Sequence, residues 1–95
     1  MSNNELEKLA DILGRRELTI LIILYRAEKT DHLVCVGDLR KNTGWNYYML
    51  RKTLLKLDKA GLIKSYRVGK FRIYRLTDKG FNFIKTLLFL SKMLK

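Results

Sequence analysis

Side chains suited to gripping a polyanion crowd one stretch of the chain. Asn46, Tyr47, Tyr48, Arg51 and Lys52 stand close together, and Lys56, Arg67, Lys70 and Arg72 follow. Arginine or lysine can pair with the O6 and N7 atoms of guanine, and asparagine can pair bidentately with adenine. Tyrosine hydroxyls can donate to phosphate, and the rings can pack on thymine methyls. Between residues 40 and 75 there are eleven basic side chains and one acid, Asp58. Bond-making chemistry has far less to build from. The chain holds one histidine and one cysteine, with no Ser-His-Asp set, no Gly-rich phosphate loop and no close carboxylate pair in its basic part. It reads as a binding protein, not an enzyme, and no cofactor is expected.

His32-x-x-Cys35 could offer two metal ligands, which is too few for a site, so no metal is expected. Cys35 keeps three readings open: a small buried hydrophobe, an intersubunit disulfide or a redox sensor.

Ninety-five residues form one domain, 1–95, with a net charge of +11. That charge predicts a polyanionic partner, either nucleic acid or an anionic membrane surface. Its distribution is one-sided. Residues 1–36 hold five basic and six acidic side chains, a net of −1, while residues 37–95 hold fifteen and three, a net of +12. The N-terminus lacks the pattern of a signal peptide, and no apolar run approaches the ~20 residues that span a bilayer. A cytoplasmic, DNA-associated protein is expected.

The elements that must position these groups follow from periodicity. Leu6, Leu9, Ala10 and Leu13 predict a helix over 4–13, stopped by Gly14. Residues 15–28 predict a helix with little polar face, hence central and buried. Leu33–Val36 reads as a short strand, and a short helix follows from about Gly37 to Thr43, ended by Gly44. Asn46 can cap a helix reaching about Ala60. Residues 63–68 and 71–76 predict a hairpin, with Gly69-Lys70 as a type II′ turn. Thr77 can cap a last helix, 78–95. The class is α+β, mainly α.

Two helices joined by a glycine-containing turn are the helix-turn-helix pattern. The run Val36-Gly-Asp-Leu39 … Thr43-Gly44, then Leu54-Leu-Lys-Leu57-Asp-Lys-Ala-Gly61-Leu62-Ile63, then Tyr74-Arg-Leu76-Thr77-Asp-Lys-Gly80 resembles the winged-helix regulators of the MarR, ArsR and PadR type. In size the chain is similar to small dimeric winged-helix proteins of archaea and their viruses. The resemblance implies a recognition helix over about 46–60 and a hairpin wing lying along phosphates or in the minor groove.

At 100° per residue, Leu50, Thr53, Leu54 and Leu57 share a narrow core stripe. Tyr48, Lys52, Leu55 and Lys59 point the opposite way, with Arg51 and Lys56 on the flanks, while Tyr47 lies nearer the core edge. The expected DNA-binding set is Arg40, Lys41, Asn46, Tyr47, Tyr48, Arg51, Lys52, Lys56, Arg67, Lys70 and Arg72. Trp45 reads as a lid on the core between two helices.

In the last helix, Phe81, Ile84 and Leu88 can cover the domain's own core. Phe83, Leu87, Leu90 and Leu94 have the spacing of a helix–helix seam, which predicts a homodimer interface shared with Leu6, Leu9 and Leu13. The expected function is sequence-specific binding of double-stranded DNA by a homodimer that regulates transcription, with no membrane and no small-molecule ligand. Two alternatives stand: a low-specificity DNA-packaging protein, and a membrane-surface or partner-binding module using the C-terminal helix.

Overall fold

The computed structural model describes residues 14–94; Leu6, Leu9, Leu13 and the helix expected over 4–13 lie outside them. The element order is α1 (Arg15–Lys29), β1 (Val34–Cys35), α2 (Val36–Thr43), α3 (Tyr47–Lys59), β2 (Ile63–Val68), β3 (Phe71–Leu76) and α4 (Asp78–Met93). The three strands form an antiparallel sheet in the order β1-β3-β2.

Helix α1 is central, as its nearly continuous apolar run requires: Ile20, Leu21 and Leu24 are fully buried. Strand β1 is shorter than Leu33–Val36, and α2 starts at Val36, one residue before Gly37. The cause is local. Asp38 Oδ2 accepts hydrogen bonds from the Cys35 backbone N–H at 3.0 Å and from Cys35 Sγ at 3.3 Å, satisfying donors at the helix start. Those contacts draw Val36 out of the extended conformation. Gly44 closes α2 with a φ of 72°, a left-handed conformation that only glycine adopts readily.

Helix α3 starts where Asn46 Oδ1 accepts the Met49 N–H at 2.8 Å. Its predicted stripe of Leu50, Thr53, Leu54 and Leu57 is buried against α1 and the sheet. The hairpin has the predicted limits, with Val68 opposite Phe71. Gly69 takes a φ of 61°, and among the described residues Asp31 alone has a positive φ without being glycine, so Lys70 fits the type II′ turn.

Helix α4 is tied to the turn that ends α3. Thr77 Oγ1 accepts the Gly80 N–H at 3.0 Å and donates to the Gly61 carbonyl at 2.6 Å. The Thr77 N–H donates to the Leu62 carbonyl at 3.0 Å, and Lys79 Nζ to that of Ala60 at 3.2 Å. The backbones approach so closely that a Cβ on Gly80 would overlap the Leu62 carbonyl oxygen. The Gly-Leu-Ile and Leu-Thr-x-x-Gly motifs are therefore two halves of one joint. The helix ends at Met93 instead of running through 95.

Packing also revises the two stripes on α4. Ile84 is buried, and Phe81 and Leu88 lean on the same core, as expected. Phe83 and Leu87, assigned to the dimer seam, also pack against the chain's own core. Only the distal turns overhang it, leaving Phe89, Leu90, Met93 and Leu94 exposed.

Candidate nucleic-acid interface

Helix α3 buries one stripe and presents the rest. Tyr48 is 76% exposed and Tyr47 49%, while Asn46, Arg51 and Lys52 are exposed beside them. Tyr47 Oη accepts a long hydrogen bond from Arg51 Nη1, at 3.5 Å one turn away. The predicted base-reading side chains therefore occupy one outward patch at the N-terminal half of the helix. Trp45 is half-buried against the core, in agreement with its expected place as a lid.

A cleft of about 490 Å³ separates α3 from the hairpin. Tyr47, Arg51, Leu55 and Asp58 line the helix side, and Ser65, Arg72 and Tyr74 the strand side. Burial raises the Tyr74 phenol above its ordinary 10.0, so it remains a neutral donor at physiological pH. Strand register puts Arg67 directly opposite Arg72 on the sheet face that borders this cleft. Directly opposed like charges destabilise a hairpin. One hydrogen bond relieves the crowding, as Arg72 Nη1 donates to Ser65 Oγ at 3.0 Å. An anion between the guanidinium groups would relieve it far better.

Other cations are engaged inside the protein. Lys56 Nζ lies 3.1 Å from Glu17 Oε1, tying α3 to α1. Glu17 keeps only 12% of its side chain exposed, so this lysine neutralises a nearly buried carboxylate. Lys56, expected on the DNA face, is exposed but already paired with an acid of the fold. Arg75 forks onto Glu28 with bonds of 3.1 and 3.0 Å, and that pairing raises the already high pKa of its guanidinium. Neither partnership was visible in the sequence, because each joins distant segments. Arg40, Lys41, Arg51, Lys52, Arg67, Lys70 and Arg72 are exposed and have no carboxylate partner among the described residues.

Cys35 is half-buried, with its thiol on Asp38. That N–H···carboxylate bond from Cys35 holds the Asp38 carboxyl below its ordinary 3.8. The described residues contain no group of three or more potential metal ligands.

Helices flanking a three-stranded antiparallel sheet whose last hairpin stands beside an exposed helix decide the architecture. The fold is a winged helix. It is shared with AF1382 from Archaeoglobus fulgidus, at a TM-score of 0.78 and 19% identity over 90% of this chain and 94% of that one. The transcriptional repressor BigR from Xylella fastidiosa matches at 0.74 and 21% identity, over 98% of this chain and 88% of that one. The transcriptional regulator HlyU from Vibrio vulnificus matches at 0.72 and 22%, over 92% and 88%. No family model matches the sequence, and no curated protein does. Helix α3 stands where the sequence resemblance leads one to expect a recognition helix, and β2–β3 where it leads one to expect a wing.

Proposed function

We propose that this chain binds double-stranded DNA as a homodimer and regulates transcription by occupying promoter sites. Helix α3 enters the major groove, where Arg51, Lys52 and Asn46 read base edges, and Tyr47 and Tyr48 fix the register. The wing carries Arg67, Lys70 and Arg72 to the flanking backbone, and Arg40 and Lys41 hold phosphates on the other side of the helix. The carrying observation is the exposed, unneutralised cationic surface that α3 and the wing share, with arginines opposed across the wing. The names of BigR and HlyU, a repressor and a regulator, support the same class. No described helix is long and apolar enough to cross a membrane.

The dimer is proposed from the distal end of α4. Phe89, Leu90, Met93 and Leu94 form an apolar end of a kind that water-exposed monomers rarely carry, and Leu94 is 88% exposed. A two-fold pairing there would set the recognition helices about 34 Å apart, one turn of duplex.

Titration of a preferred duplex against random DNA at several salt concentrations tests this reading. If a dimer neutralises about eight phosphates, the slope of log K against log salt is near −7. A slope shallower than about −2, or equal affinity for random DNA, defeats a sequence-reading regulator. Leu90→Glu with Leu94→Glu should give a folded monomer in sedimentation equilibrium that has lost tight binding. A wild-type monomer at tens of micromolar removes the dimer.

A further inference from the structure

The wing has two unlike faces at its tip, and DNA binding by phosphate contact uses only one of them. Arg67 and Arg72 project toward the recognition-helix cleft. Side chains alternate along a strand, so Val68 and Phe71, paired across the turn, project from the opposite face. They are 46% and 53% exposed, and neither belongs to the core. Ile73, next along that face, is buried, so the sheet stops needing apolar cover before its tip.

We infer that Val68 and Phe71 form an apolar wedge that enters the minor groove beside the recognition-helix site, loosens a base step and bends the duplex. This rests on the DNA-binding function proposed above. Charge complementarity singles out DNA as the occupant. Residues 59–77 contain no acid, and Lys70 holds its ammonium 5.6 Å from the Phe71 ring centroid. A groove that closes around this tip meets Lys70 beside the wedge and Lys64 on the same face, with Arg67 and Arg72 on the reverse face, an arrangement suited to two phosphate-lined walls and hostile to an apolar protein face. Dimensions supply the bend. A minor groove is about 6 Å wide, whereas two paired strands are about 4.8 Å apart before side chains are counted. Entry of this tip thus requires a widened groove, which apolar wedges achieve by parting stacked bases. Pyrimidine–purine steps such as TA part most easily, and A-tracts resist. The wedge would add sequence preference at base pairs that α3 never touches.

The test uses the full chain and duplexes that share the preferred major-groove site, differ at the flanking step, and carry donor and acceptor dyes at their ends. Wild-type protein should shorten the end-to-end distance and prefer a TA flank to an A-tract flank by about tenfold. Phe71→Ala should still bind, within about tenfold of wild type, but leave the duplex straight and cut the flank preference below about twofold. Phe71→Leu, which keeps an apolar wedge, should retain both effects. A duplex left straight by wild type overturns the inference, as does bending unchanged by Phe71→Ala. Dissociation of the free protein by Phe71→Ala would assign the patch to a second copy and overturn it too. Wild type that binds no duplex fails the underlying function, and the same titration registers that before any bend is measured.

Discussion

Two cationic regions lie within a few residues of each other and behave oppositely. At the base of the wing and the middle of α3, Arg75 and Lys56 are locked to Glu28 and Glu17 of α1. At the wing tip and the start of α3, Arg67, Lys70, Arg72, Arg51 and Lys52 have no such partner among the described residues. The first group holds the domain together; the second crowds like charges where the fold gains nothing from them. A positive charge therefore points to a ligand only once the protein's own carboxylates have taken their share. Composition alone would have counted both groups as one surface.

Substitutions can break that contrast. The largest effect is expected from Arg67→Ala, Lys70→Ala and Arg72→Ala combined. Each is present twice in the dimer and should make the salt slope shallower by about two, and together they should weaken every duplex by at least about 100-fold without lowering thermal stability. Unchanged salt dependence in a binding titration would place the wing away from phosphate. Arg51→Ala should cost about 1–3 kcal/mol on the preferred duplex and flatten discrimination at one base pair; a uniform loss on all duplexes makes it a phosphate contact instead. Lys56→Ala should do the reverse. Urea unfolding should show a loss of about 1–2 kcal/mol, because a nearly buried carboxylate loses its partner, while the salt slope holds.

The smallest effect concerns Asp38. Its folded pKa lies below the ordinary 3.8, so its contribution is complete above that value and disappears as pH falls through the lower folded one. Asp38→Asn should cost about 1 kcal/mol at pH 7, with little difference from wild type once both are well below the folded pKa. A gap between the two that persists in acid would detach the cap from its charge.

Local chemistry made much of the fold legible. Asn46 and Thr77 announced helix starts, Gly69-Lys70 announced the turn, and the 3.6-residue repeat named the buried stripe of α3. The same repeat placed Tyr48 and Lys52 outward, which located the exposed patch proposed to read bases. What escaped was either very short-ranged or very long-ranged. Val36 looks like a strand residue by type, yet an aspartate two positions later converts it to helix. Lys56 and Arg75 look like surface cations until tertiary packing delivers acids from α1. Phe83 and Leu87 carry the spacing of a seam, but periodicity gives a direction on a helix and not how far the underlying core extends.

The joint between Thr77, Gly80 and the Gly61–Leu62 turn has a consequence for recognition at a distance. With no side chain at Gly80, the start of α4 rests directly on the backbone that ends α3. Gly80→Ala would gain about 1 kcal/mol of helix propensity yet lose about 3 by overpacking against a carbonyl that cannot step aside. Such a hinge has no slack. If α4 pairs with its twin, the angle at this joint works as a surveyor's gauge, converting the geometry of the pairing into the number of base pairs between half-sites. Duplexes with two base pairs inserted at the centre should then be refused outright, rather than merely bound less well.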